Sequence, residues 1–178
     1  MGSDSISSCP PTRTLTEIKA TQEAYIEWKE EVRRDSCVVH MIDSLSHKSS
    51  IKWLLSSGFV ASQIHSESGG NQGAVSSSGA RGIAQFLPST WQSMKDNKLI
   101  PNWFDIDNES HQRVAHLIYL DHLWRMWGGQ PERLALVAAS YNAGPGTIQE
   151  LLKEHGTDWK SYLPEETSKY LTTLHRYI

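Results

Sequence analysis

Apolar side chains recur along the chain mostly at three- and four-residue spacing, the period of helices with one buried face. Residues 1–13 are rich in Ser, Pro and Thr and lack that period, so they are expected to be disordered or loosely attached. Thr14 and Glu17 stand as a capping box requires, ahead of Leu15, Ile18, Tyr25, Trp28 and Val32 on one face. A short helix is predicted over 38–45. A third, with Ser49 or Ser50 as its cap, carries Ile51, Leu54 and Leu55 towards Gly58. Residues 59–67 follow with Val60, Ala61 and Ile64 on the buried side, and Ser68-Gly69-Gly70 stops them with a glycine C-cap.

Five glycines and three serines then make 69–82 a loop or short hairpin. Pro88 opens the next helix at its first turn. Asn108 caps a long one with Val114, Leu117, Ile118, Leu120 and Trp124, ended by Gly128-Gly129. Pro131 begins a helix that is apolar throughout 134–139 and therefore central to the core. Gly144-Pro145-Gly146 breaks the chain before a helix over 147–154, and a last helix after Pro164 aligns Leu171, Leu174 and Ile178. The pattern predicts an all-α, mainly helical fold with one irregular glycine-rich lobe. It divides into an N-terminal extension, 1–48, and a helical domain, 49–178.

With 178 residues, one domain with a proper core is expected. No apolar run approaches the roughly 18 residues of a membrane span, so no span is expected. The formal charge is −3, and the densest charged stretch, Lys29-Glu30-Glu31-Val32-Arg33-Arg34, mixes both signs. That excludes the basic footprint of a nucleic-acid partner. The two cysteines, Cys9 and Cys37, are too few for a zinc site; a disulfide and two free thiols both remain open. The polar opening Met1-Gly2-Ser3-Asp4 predicts no signal peptide, so export by another route, or a chain starting after a removed segment, is expected.

Common catalytic motifs are missing. There is no phosphate-binding Gly-Lys-Ser/Thr and no His-Glu-x-x-His, and His65-Ser66-Glu67 lacks the Cys-x-x-Cys of a zinc deaminase. What remains is Glu67, a carboxylate closing an apolar helix and facing a flexible loop. Burial there would raise its pKa from about 4.3 towards about 6, keeping it protonated enough to serve as an acid.

Four segments, in order, place that residue in context. Residues 59–69 (Phe-Val-Ala-Ser-Gln-Ile-His-Ser-Glu-Ser-Gly) resemble the catalytic helix of lytic transglycosylases. Residues 79–91, with Gly82-Ile83-Ala84-Gln85 and Pro88-Ser89-Thr90, are similar to that family's Gly-Leu-Met-Gln-x-x-Pro-x-Thr segment. Ala139-Ser140-Tyr141-Asn142-Ala143-Gly144-Pro145-Gly146 resembles its Ala-Tyr-Asn-Ala-Gly-Pro-Gly signature, and Glu166-Thr167-Ser168-Lys169-Tyr170 its Glu-Thr-x-x-Tyr. The resemblance covers roughly 50–178.

It implies a lysozyme-like superfold related to goose-type lysozyme, acting on the glycan strands of peptidoglycan. Glu67 would protonate the oxygen between N-acetylmuramic acid and N-acetylglucosamine. It would then take the proton of the muramic acid 6-hydroxyl, leaving a 1,6-anhydro end. Ser68, Gln85, Tyr141, Asn142 and Tyr170 are the implied substrate-binding residues, Glu166 a structural tie for the last helix. Trp91, Trp103, Trp124 and Trp127 could stack on sugars, although the last two stand at core spacing. No cofactor or metal is implied, a monomer is expected, and the site of action is the cell wall, reached from a phage or from a bacterial cell. Three departures stand out: Ala84 replaces Met and removes bulk beside the acid, Ser140 replaces Ala, and His116-Leu117 replace small residues. The last pair predicts looser or altered helix packing. A hydrolytic muramidase and an inactive glycan-binding module are the alternatives.

Overall fold

The computed structural model describes residues 58–176 without a break, together with 38, 40, 41, 44, 45 and 47–56. The expected helix over 15–32, Cys9, Cys37 and the side chains of Ser49 and Ser50 lie outside the described residues. Seven α-helices are found among those described: α1 (Ser49–Ser56), α2 (Phe59–Ser68), α3 (Pro88–Asp96), α4 (Glu109–Met126), α5 (Arg133–Ala143), α6 (Pro145–His155) and α7 (Glu165–Thr173). The described residues between Val38 and Leu45 are also helical. The fold is all-α, with a glycine-rich lobe between α2 and α3 held by two antiparallel bridges, Val75 to Arg81 and Arg81 to Phe86.

α5 is the core element. Leu134 to Ser140 are buried without interruption, and its alanines let α4, α6 and α7 approach it closely. α1 packs on α2 and α4, which brings Ile51 and Leu54 into the same core as Phe59 and Leu117. Asn108 caps α4, its Oδ1 accepting from the His111 N–H at 3.1 Å.

Several boundaries differ from the sequence expectation. Pro145 does not break the chain but occupies the first turn of α6, where its missing N–H costs nothing, so only Gly144 separates α5 from α6. α5 starts at Arg133, two residues after Pro131, because Glu132 takes a left-handed φ of 54° and pairs with Lys160 at 2.6 Å. The 3₁₀ helix Gly156–Tyr162, which buries Trp159, has no counterpart in the predicted pattern. α7 stops at Thr173; Leu174 is buried in the turn that follows, and Ile178 lies outside the described residues.

The departures from the resembled motifs are absorbed by packing. The Ser140 hydroxyl accepts from Trp127 Nε1–H at 2.9 Å in the core, giving a buried indole the partner that Ala could not. His116 and Leu117 do not loosen the packing: both are buried, and His116 meets Gln63. Ala84 is also fully buried, and its missing bulk opens nothing into the cleft described below.

Candidate active site

Glu67 sits in the last turn of α2. The helix ends one residue later because Gly69 adopts φ 67°, and its N–H returns to His65 O at 2.9 Å. That stop turns the chain into the glycine-rich lobe and leaves Glu67 facing the space between lobe and helices. The space is a cleft of about 380 Å³. Its walls are Ser66 and Glu67 of α2; Ser76, Ser78, Ala80, Gln85, Phe86 and Leu87 of the lobe; and Thr90 of α3. Tyr119, Tyr141 and Asn142 come from α4 and α5, and Glu166, Lys169, Tyr170 and Thr173 from α7.

One amide ties the lobe to α4. Gln112 Oε1 accepts from the Ala84 N–H at 3.0 Å, and its Nε2 donates to Arg81 O at 3.1 Å and to Ile106 O. This pins the segment that carries Gln85, itself at a left-handed φ of 50°. Gln85 Nε2 donates to Gly82 O at 2.8 Å and Ala74 O at 3.2 Å. Both amide hydrogens are thus engaged, and what Gln85 can offer a ligand is its carbonyl oxygen.

Burial raises the pKa of Glu67 from 4.5 to about 7; a nearby Tyr170 hydroxyl opposes the rise, and the Glu166 carboxylate adds to it. This exceeds the value of about 6 expected for burial alone. Its Oε1 is buried without a hydrogen-bond partner, as is Tyr170 Oη. Tyr141 cannot donate to Glu67, because its hydroxyl proton goes to Ala84 O at 2.8 Å. Burial holds both tyrosines well above the usual phenol pKa, so they remain neutral donors. The Tyr141 ring closes an aromatic wall with Phe86 and Tyr119, at centroid distances of 5.9 and 5.6 Å.

Of the residues singled out in the sequence, Glu67, Gln85, Tyr141, Asn142 and Tyr170 share this cleft. Ser68 does not. Its hydroxyl donates to Ile83 O at 2.8 Å and accepts from Gly70 N–H at 3.1 Å, tying helix to lobe. Trp91 is buried in the core, and Trp103, although exposed, packs on Phe104 and His111 outside the cleft. Asp96, Asp105 and Asp107 are also outside it: Asp96 accepts from Gln92 at 2.8 Å, and Asp107 pairs with Arg81 at 2.9 Å. Glu166, expected to tie down the last helix, is instead exposed on the cleft wall. Its neighbourhood with Glu67 depends on how α7 crosses the site, for which the sequence carries no local signal. Among the described residues, no three His, Cys, Asp or Glu side chains stand close enough to hold a metal ion, and no helix is long and apolar enough to cross a membrane.

Over 99 residues the chain is 30% identical to a protein of Haemophilus influenzae that bears the name of a soluble lytic murein transglycosylase. The aligned stretch is 55% of this chain and 16% of that relative, so the chain spans a small part of the curated relative's length. The family model of the transglycosylase SLT domain matches residues 44–163, a span that includes Glu67, Gln85, Tyr141 and Asn142. With well over half of its residues matched, the chain belongs to the transglycosylase SLT domain family.

Proposed function

We propose that this protein is a peptidoglycan lytic transglycosylase in which Glu67 is both acid and base. The single observation that carries the reading is the Glu67 carboxyl, half-buried in the cleft with a pKa of about 7. A group so poised gives up a proton and takes one back at the same pH, which a two-step reaction with one carboxyl demands. Protonated Glu67 donates to the glycosidic oxygen between N-acetylmuramic acid and N-acetylglucosamine, and the bond to C1 breaks. The substrate's own N-acetyl group eases the positive charge that develops at C1. Glu67, now a carboxylate, removes the proton of the muramic acid 6-hydroxyl, whose oxygen closes on C1. The bonds balance without water, and the product ends in a 1,6-anhydro ring. A nucleophile already joined to the substrate brings an advantage of up to ~7–11 kcal/mol in well-oriented cases.

The Gln85 carbonyl and the Asn142 amide supply hydrogen bonds suited to N-acetyl and hydroxyl groups, and Tyr141 and Tyr170 shape the cleft around Glu67. We assign this catalytic domain to residues 49–178, with the cell wall as its place of action, and the reading invokes no metal or cofactor.

Hydrolysis by water is the second reading, and Glu166 favours it, since a second carboxylate on the cleft wall could activate a water. Mass spectrometry of digested walls, with chelator present, separates the two. Anhydro ends, lighter by one water, are expected; reducing muramic acid ends as the main product would transfer the assignment to a muramidase. Glu67→Gln should lower cleavage by about 100- to 10,000-fold, and a variant of near-parental rate would remove Glu67 from the mechanism.

A further inference from the structure

Behind the cleft lies a buried polar pair that the chemistry above does not use. Gln63 on α2 and His116 on α4 are both fully buried, with Gln63 Oε1 and His116 Nε2 2.9 Å apart. Gln63 precedes Glu67 by one helical turn, so the two side chains share a face. The Tyr170 hydroxyl is the third member, subject to hydrogen-bonding influence from both Gln63 and Glu67. Neither contact meets full hydrogen-bond geometry in this structure: Gln63 Nε2, Tyr170 Oη and Glu67 Oε1 are each buried without a hydrogen-bond partner. Such bonds are often long before substrate closes a site.

The direction of the chain follows from the imidazole. His116 Nδ1 is buried with no partner. A proton there would be a buried unsatisfied donor, whereas a bare lone pair is the milder loss. The proton therefore belongs on Nε2, where it is donated to Gln63 Oε1. That bond fixes the amide with its NH2 towards Tyr170, and a phenol that accepts from Gln63 turns its own proton to Glu67. We propose that His116 and Gln63 are positioning residues, which aim the Tyr170 hydroxyl at Glu67 and favour its carboxylate form for the second, base step. The inference rests on the reading of Glu67 as acid and base.

The other groups facing Glu67 do not duplicate this. Glu166 on α7 opposes the carboxylate form, and the Tyr141 proton on α5 is committed to Ala84 O. Lys169 on α7 pairs with Glu165 at 2.6 Å, and Tyr119 on α4 is a neutral phenol. His116 brings no charge: burial, aided by Arg113, lowers its pKa to about 3.

The test is a carbon-13 NMR titration of the Glu67 carboxyl beside pH–rate profiles. The parent is compared with Gln63→Met, His116→Leu and His116→Gln, whose amide can donate from the place of Nε2. The first two should raise the Glu67 midpoint by about half a unit or more. Their alkaline limb should move up equally, with kcat reduced and KM held, while His116→Gln restores the parental midpoint. An unchanged or lowered midpoint in a folded Gln63→Met or His116→Leu overturns the proposal. Should neither core variant fold, Tyr170→Phe must show the same rise, and its absence overturns the proposal equally. Because the titration reads Glu67 without turnover, an active Glu67→Gln would refute the catalytic reading separately from this one.

Discussion

Glu166 and Glu67 share one cleft, and after burial itself the Glu166 carboxylate is what holds Glu67 in its protonated form near neutrality. Cleavage that begins with proton donation must fail as pH rises through the Glu67 pKa of about 7. Glu166→Gln removes a repulsive charge and leaves the burial. The alkaline limb of kcat/KM should therefore move down, by about half a unit for a pair partly screened by solvent. A pH–rate profile of the variant checks this. An upward shift would mean that Glu166 acts on Glu67 other than by charge.

The same burial costs stability. The folded pKa of Glu67, about 7, lies above its ordinary 4.5, so between those values the folded state binds more protons than the unfolded. Stability therefore falls as pH rises through that window and levels off above it, with a cost approaching ~3 kcal/mol. Glu67→Gln carries no such charge. Urea denaturation should find it more stable than the parent at pH 8 and nearly equal at pH 4. An equal gain at both would assign the effect to packing instead.

Gly82 is where the lobe has no room. A Cβ there would lie 1.9 Å from Gln112 Nε2, at a φ of +72° that side chains rarely adopt. Gly82→Ala must displace the amide that holds Arg81, Ala84 and Ile106 together. Thermal denaturation should show a loss of about 2–4 kcal/mol. Cleavage should fall further than stability, because Gln85 is carried by the same turn. A variant with parental Tm would show that Gln112 moves aside freely.

How far such features were legible in the chain depends on how local their cause is. The ends of α2, α3 and α4 are written in Gly69, Pro88 and Asn108, each of which acts on its own turn. Glu67 with Gln85, Tyr141, Asn142 and Tyr170 could be gathered because contiguous motifs carry them. Ser68 stood in such a motif too, yet its hydroxyl is engaged by the lobe, a partner fifteen residues on. The Gln63–His116 pair was marked only by the departure at His116. Its members are 53 residues apart, and each alone looks like a polar residue on a helix. The cleft position of Glu166 likewise depends on α7 packing against α5, a contact no periodicity encodes.

Trp127 and Ser140 offer the cleanest separation of stability from catalysis. The indole N–H donates to the Ser140 hydroxyl at 2.9 Å, with both residues buried between the end of α4 and the middle of α5. Ser140 directly precedes Tyr141 and Asn142, yet it is not part of the cleft wall. Ser140→Ala strands the indole donor, a loss of about 1–3 kcal/mol. Trp127→Phe removes the donor but also leaves space, so its cost is of the cavity kind. The double variant should be less destabilised than the two single losses added together, since the second change removes the group that the first left unpaired. Denaturant unfolding of all four proteins measures that coupling. Activity per folded molecule should hold in Ser140→Ala at temperatures well below its Tm. A loss of kcat there without any loss of stability would mean that the hydroxyl sets the position of Tyr141, and would extend the catalytic machinery into the core.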